Sequence, residues 1–276
     1  MRRGSGFVLL GSLLLVLCIA CVLFPNLLAP YGPKVMFAPW ESPSPAHWLG
    51  TNDMGYDILT ELIYAAGSTL AIAIVAALCS LIIGTIVGLI AGYFEDYRGQ
   101  LADGVIQIFL LIPMLPMAIV VVAFCGGNNW NIIAIIALLG WCATARTVRT
   151  RTMQLKQTGF VEALVILDIS RAQILWKHIL PNLWEVVLSR YIMSVARCIM
   201  LEATLSFLGL GDPTHVTWGR MINLAYKRGG FTRGAYNWLV SPGLCITLLV
   251  LSFYCVNHYF EIRNEEVVGT GRGYLE

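Results

Sequence analysis

Long apolar runs separated by polar connections dominate the chain. A helix needs about 20 residues to cross a bilayer, because about 30 Å of hydrocarbon divided by about 1.5 Å per residue gives that length. Six runs meet this requirement, with bounds at roughly 7–29, 68–94, 101–124, 131–150, 183–208 and 239–260. The pattern predicts an all-α integral membrane protein with six transmembrane helices.

Two of these runs contain residues that shape a helix. Pro113 and Pro116 lie in the third run, where proline must kink or interrupt the helix. Gly84, Gly88 and Gly92 recur at four-residue spacing in the second run. Such a stripe either lets another helix approach closely or reflects ordinary glycine usage in membrane helices, and the sequence leaves both interpretations open.

Composition agrees with a membrane protein. The chain is 58% hydrophobic and 12% charged, whereas soluble domains have roughly 25% charged residues. Its net charge of +2 gives no reason to expect a nucleic-acid partner. The eight cysteines and four histidines show no metal-ligand spacing, so we expect no metal site and interpret most cysteines as small buried hydrophobic residues.

The distribution of Lys and Arg predicts the orientation. With the N-terminus in the cytoplasm, eleven of the 18 basic residues fall on the inner side and five on the outer side. Both termini are then cytoplasmic. The predicted organisation is a cytoplasmic N-terminus (1–6), a first span (7–29), an extracytoplasmic segment (30–67), a transmembrane core (68–262) and a cytoplasmic tail (263–276).

A mixed polar and apolar segment, 151–181, lies between the fourth and fifth spans. Its apolar spacing predicts short amphipathic helices with a break near Asp168 to Ser170, where Asp and Ser favour a turn or a new N-cap. Pro181 suits the first turn of the next helix. On physical grounds the segment either docks a soluble partner or lies on the lipid surface.

This segment resembles the EAA loop of ABC importer permeases, which reads Glu-Ala-Ala, three residues, Gly, and about nine residues before Ile-x-Leu-Pro. Leu164 replaces the second alanine of that pattern, and Asp168 replaces its glycine. The ending "HILPN" is typical of the dipeptide, oligopeptide and nickel branch. The resemblance assigns coupling to the ATPase to these residues: Glu162, Ala163, Leu164, Asp168, His178, Leu180 and Pro181.

The motif glycine permits a left-handed backbone conformation. Asp tolerates that conformation better than most residues, at a cost of about 1 kcal/mol. We therefore expect Asp168 to adopt it.

Three further motifs resemble the same branch, in the expected order. "HWLGTNDMGYDIL" resembles an element between the first two spans, "EATLSFLGLG" is similar to "EASLSFLGLG", and "WGRMI" resembles "WGxMI". Asn52 and Tyr56 replace the usual Asp and Arg of the first motif, so we expect an ion pair to be missing there. The extracytoplasmic motif residues are Gly50, Thr51, Asn52, Gly55 and Asp57.

The resemblance implies the shorter, six-span permease subunit of a prokaryotic inner-membrane importer, with an EAA-type coupling helix pair between helices 4 and 5. Its implied partners are a second permease subunit in a heterodimer, two ATPase subunits, an extracytoplasmic substrate-binding protein and membrane lipid. The chain has no Gly-Lys pair and so no phosphate-binding loop, which places ATP and Mg on the partners and leaves this chain without catalytic residues or cofactor.

The implied cargo is peptides or nickel and other metal chelates. The alternative is an ion-gradient-driven secondary transporter of small solutes, which would lack the docking segment and show interrupted helices in two repeated halves. We see no such repeat in the sequence.

Charged residues inside the fifth span are the remaining candidates. An ionisable group at membrane depth usually faces protein or water. Arg190 and Arg197 are seven residues apart and share one helical face, whereas Glu202 falls on a different side. We expect Arg197 and Glu202 to face the pathway or the permease partner; alternatively, Glu202 lies near the outer interface and braces the following loop.

Overall fold

The protein is described here by a computed structural model, which covers the backbone of residues 5–272 and the side chains of residues 8–258 and 260. Its helices are α1 (Ser5–Leu23), α2 (Pro25–Leu28), α3 (Ile58–Tyr93), α4 (Tyr97–Leu111), α5 (Met114–Cys125), α6 (Asn129–Lys156), α7 (Gly159–Ile166), α8 (Arg171–Gln173), a π-helical turn (Ile174–Ile179), α9 (Leu180–Asn182), α10 (Trp184–Phe207), α11 (Trp218–Lys227) and α12 (Tyr236–Arg272). The described part contains two isolated β-bridges and no strand. The predicted all-α fold class is confirmed.

Among the residues that the structure describes, three helices are long and apolar enough to cross a membrane: α3, α6 and the part of α12 up to His258. The pair α4 and α5 makes a fourth if the two count as one span, since they meet at an angle of 87°. The break falls at Pro113, which is the N-cap residue of α5. The predicted interruption of the third span is therefore confirmed.

The two other predicted spans correspond to α1 and α10. The helix α1 ends at Leu23, because Pro25 starts the separate short helix α2, so the predicted span 7–29 is not one continuous helix. The helix α10 coincides with the predicted fifth span but contains four charged residues, Glu185, Arg190, Arg197 and Glu202.

The close contact between α3 and α6 forms the centre of the fold. A Cβ atom added at any glycine of the predicted stripe would lie 2.6 Å from a backbone oxygen of α6; Gly84, Gly88 and Gly92 face the oxygens of Trp141, Ala145 and Arg149, respectively. No side chain fits at that distance, so the stripe is a helix-packing surface. Of the two interpretations of the glycine spacing, close helix approach is confirmed.

The opposite half of α3 packs through small side chains. Ala65, Ala73 and Ala76 are fully buried in a core that also contains residues of α10, α11 and α12. The helix begins at Ile58 because Asp57 caps it, accepting a hydrogen bond from the backbone N–H of Thr60. The helix therefore begins ten residues before residue 68, where the second span was predicted to start.

Candidate functional site

The EAA-like segment, residues 158–182, contains a sharp turn at Asp168. Asp168 has φ of 56°, as its match to the motif glycine predicted. Its N–H donates to the carbonyl of Val165, and the N–H of Ile169 donates to that of Leu164. This is the hydrogen-bond pattern of a Schellman motif, which ends α7 and reverses the chain with a residue in the left-handed region.

A second short helical stretch follows the turn. The Ser170 hydroxyl accepts a hydrogen bond from the N–H of Gln173 and caps it. The chain then widens into the π-helical turn and reaches Pro181, which lacks an N–H for the helical ladder. The side-chain amide of Asn182 donates a hydrogen bond to the backbone carbonyl of His178 at 2.7 Å and so gives that carbonyl a partner beside the proline. The predicted break between two helices is confirmed.

Buried apolar residues fix the EAA-like segment to one end of the α3–α6 pair. Val161, Ile174 and Ile179 are at most 1% exposed and form a cluster with Tyr93 of α3 and Val148 of α6. The segment is therefore anchored on both central helices rather than suspended between two spans.

The other face of the segment is exposed and strongly apolar. Three consecutive large hydrophobic residues are exposed there: Val165 (58%), Ile166 (83%) and Leu167 (71%). Of the predicted coupling residues, Glu162, Ala163, Asp168 and Pro181 are exposed, while Leu164, His178 and Leu180 are half-buried. Contiguous exposed apolar residues mark a surface that binds protein or lipid.

A cleft of about 700 Å³ opens between α7 and the ends of α4 and α6. Arg149 and Asp103 form a two-point ion pair inside it, with Nε to Oδ1 at 2.8 Å and a second nitrogen to Oδ2 at 3.1 Å. At the rim, Lys156 contacts Glu95 at 2.7 Å. The hydrogen bond from Lys156, followed by its charge, lowers the pKa of the exposed Glu95 carboxyl.

The motif that the sequence predicted to be extracytoplasmic lies at the other end of α3, in a compact unit that we name the His47 element (residues 36–61). Gly50 and Gly55 both adopt φ above 80°, where other residues are strained. The Thr51 hydroxyl donates to the carbonyl of Ala38 at 2.7 Å. The imidazole of His47 lies 3.0 Å from the carboxylate of Asp57, the residue that caps α3. All five predicted motif residues therefore lie in one structural unit.

Asn52 organises this element in place of the usual aspartate. Its side-chain oxygen accepts hydrogen bonds from the N–H groups of Met54 and Tyr56, and its amide donates to Glu61 at 2.8 Å. The neighbouring Asp53 forms an ion pair with Arg228 at 2.6 Å, which links the element to the end of α11. Sequence reasoning missed this pair, because 175 residues separate its members.

Asp212 is a second functional candidate that the sequence did not reveal. Burial acts to raise the pKa of its carboxyl, but hydrogen bonds from Thr214 and from the backbone N–H of Asn129, together with nearby His215, lower the pKa to about 2. Asp212 thereby connects the loop after α10 to the first residue of α6. Its only sequence signal is its position after the "LGLG" motif.

Arg197 and Glu202 lie on different sides of α10, as their spacing predicted. Glu202 is fully buried, and Ser206 donates to its Oε1 at 2.6 Å. Its neighbour Ala203 lies against Gly219 of α11, so the carboxyl lies where the two helices meet. This burial favours the interpretation that Glu202 braces the following loop. Arg197, in contrast, is exposed.

Comparison with protein families decides the class of the protein. A family described as "Binding-protein-dependent transport system inner membrane component" matches residues 84–265. The chain belongs to this family. It is a permease subunit of an ABC importer, and the ATPase activity belongs to partner subunits. This family membership excludes the alternative, an ion-gradient-driven secondary transporter.

Several curated permeases are similar along most of their length. A glutathione transport system permease protein of Pectobacterium atrosepticum is 34% identical over 247 residues, which cover 88% of this chain and 81% of the relative. A dipeptide transport system permease protein of Alkalihalophilus pseudofirmus is 30% identical over 249 residues, or 90% and 80%. An oligopeptide permease of Mycobacterium bovis is 30% identical over 262 residues, or 93% and 87%.

A solved structure supports the fold. The inward-facing MetNI methionine ABC transporter contains a chain that matches with a TM-score of 0.56 and 18% identity, covering 73% of this permease and 95% of that chain. At this identity the match concerns the fold alone. Within the permease, the family match starts at Gly84 and leaves the whole His47 element outside it.

Proposed function

We propose that this permease forms half of the translocation pathway for peptides delivered by an extracytoplasmic binding protein. Six spans would form its membrane part: α1, α3, the bent pair α4–α5, α6, α10 and α12. The three similar permeases described above transport glutathione, dipeptides and oligopeptides, and glutathione is itself a peptide. This agreement favours peptides over nickel or other metal chelates as cargo.

The proposed partners are a second, different permease subunit, two ATPase subunits and the binding protein, in a prokaryotic inner membrane with both termini in the cytoplasm. The EAA-like segment would then face the cytoplasm and dock on an ATPase subunit. The His47 element would face the opposite side, where the binding protein arrives.

One observation carries this proposal: the EAA-like segment is exposed and apolar on one face, and firmly anchored on the other. Ile166 is 83% exposed at its tip, whereas Val161 and Ile179 are buried against α3 and α6. Movement of a partner docked at the tip would be transmitted to the central helix pair, because the buried contacts are closely packed and resist compression. The pair would then tilt as a unit, since its glycine stripe keeps α3 and α6 in direct contact.

The test is the double variant Glu162→Arg with Ala163→Trp. Both residues are exposed, so the variant should fold and still bind the second permease subunit. We expect peptide-stimulated ATP hydrolysis by the reconstituted importer to fall about tenfold or more, since a bulky or like-charged group at a docking surface weakens binding strongly.

Gln154→Arg is the matched control, because Gln154 is an exposed residue near the end of α6. It should leave the stimulation unchanged. Full stimulation in the double variant would contradict the assignment of the coupling surface.

A further inference from the structure

One strip along α10 combines exposure with positive charge. Arg190, Met193, Arg197 and Met200 follow one another at three- and four-residue spacing, which places them on one side of the helix. Arg197 is exposed, Met200 is 52% exposed, and the other two are half-buried. Within the described residues, the guanidinium group of Arg197 forms no hydrogen bond or ion pair, although its charge acts on the neighbouring Cys198.

Arg197 lies near the middle of the proposed span. It precedes the end of α10 at Phe207 by ten residues, or about 15 Å, which is half of a hydrocarbon layer of about 30 Å. An arginine at that depth reaches the lipid headgroups only if its side chain extends toward the interface and the bilayer thins locally. Because a charged group at this depth is costly in lipid, the strip must face water or protein.

Other helices show what a lipid-facing strip looks like in this chain. The exposed large residues in the middle of α3 are Ile74, Val75, Leu78 and Ile82, and those of α12 include Val240, Leu244, Leu248 and Leu251. Both strips are apolar. The strip of α10 therefore belongs to a different surface, and the exposed guanidinium group of Arg197 on it can bind an anionic group.

We propose that Arg197 binds the carboxylate of the transported substrate within the translocation pathway. This rests on the proposed function, in which α10 is a span and the cargo is a peptide. A guanidinium group binds a carboxylate through two parallel hydrogen bonds, and every peptide with a free C-terminus offers one.

The two methionines beside Arg197 fit this role. Methionine side chains are flexible and polarizable, and they form surfaces that adapt to different partners. Met193 and Met200 flank Arg197 by four and three residues. The arginine would fix the part that all peptides share, and the methionines would accommodate side chains that differ.

The test compares uptake of one peptide as the free acid and as the C-terminal amide. The complete importer, with its binding protein, is reconstituted in proteoliposomes with wild-type chain, Arg197→Gln or Arg197→Lys. For each peptide the variant's uptake is divided by the wild-type uptake, so that any preference of the binding protein cancels. Lys34→Gln is the matched control, because it removes an exposed charge far from α10.

We expect Arg197→Gln to lower uptake of the free acid about tenfold, the usual scale for a lost charge-assisted hydrogen bond, and to leave the amide within about twofold. Arg197→Lys should retain part of the uptake, and Lys34→Gln should change neither peptide. An equal loss for both peptides, or loss of the second permease subunit from the purified complex, would overturn the proposal and assign Arg197 to a protein contact. A wild-type importer that transports neither form would instead contradict the proposed function.

Discussion

The EAA-like segment and the His47 element occupy opposite ends of α3 and are stabilised in opposite ways. The EAA-like segment consists of short helices, anchored by buried apolar residues such as Ile174, with Ile166 and Leu167 left uncovered. The His47 element has little regular structure, and polar contacts hold it, both within the element, as between Asn52 and Glu61, and to the end of α11, as between Asp53 and Arg228. The difference teaches that apolar burial anchors one end, which presents three consecutive exposed apolar residues, whereas polar contacts hold the other end together, with isolated exposed side chains such as Trp48.

The strongest test of this contrast is Ile166→Asp. Because Ile166 is 83% exposed, the fold should be unaffected, while a charge placed in an apolar interface without a partner should abolish docking. We expect co-purification of the ATPase subunits to fall at least about tenfold. Gln154→Asp is the control, and intact co-purification with Ile166→Asp would show that the apolar tip faces lipid instead.

Gly88→Ala tests the close packing of α3 on α6, the helix pair to which the EAA-like segment is anchored. The new Cβ would meet the Ala145 oxygen at 2.6 Å and the Val148 Cβ at 2.8 Å, so α3 and α6 must separate. We expect a loss of about 1–3 kcal/mol in the free energy of unfolding, as for other overpacked sites. Gly67→Ala, in the same helix with no atom within 4 Å, is the matched control and should not destabilise. Equal stability of the two variants would mean that the helices separate at no cost.

Acidification should loosen the contact between α6 and the loop after α10, through Asp212. Its folded pKa of about 2 lies below its ordinary value of 3.8. The carboxylate therefore contributes stability that is complete above pH 3.8 and is lost as pH falls through about 2. Thermal melting of the wild type should show this acid-dependent loss, and Asp212→Asn should be less stable above pH 4 with a flatter acid dependence. Identical pH profiles would exclude Asp212 as a link between α6 and the loop after α10.

The smallest effect should come from Asp168→Gly. Glycine adopts the φ of 56° without strain, so the turn should gain at most about 1 kcal/mol. Transport and ATPase coupling should be preserved, as measured by peptide-stimulated ATP hydrolysis. A clear loss of transport would show that the exposed carboxylate of Asp168 has a role in docking beyond the shape of the turn.

Local features of the fold could be predicted from the sequence. The interruption at Pro113 and the left-handed turn at Asp168 each depend on the conformational limits of a single residue type, whereas only the structure decided that the stripe through Gly88 is a packing surface. The early start of α3 could not be predicted from hydropathy, because a polar cap at Asp57 sets it and the turns that follow include Glu61.

The sequence by itself determined the helical class, the family motifs and the positions where the backbone must bend, because these depend on neighbouring residues and their periodicity. Only the tertiary structure decided which charges are satisfied. It buried Glu202 beneath α11, paired Asp53 with Arg228 and left Arg197 exposed. Pairing across 175 residues depends on how the helices pack, and the sequence spacing of such residues contains no information about their distance in space.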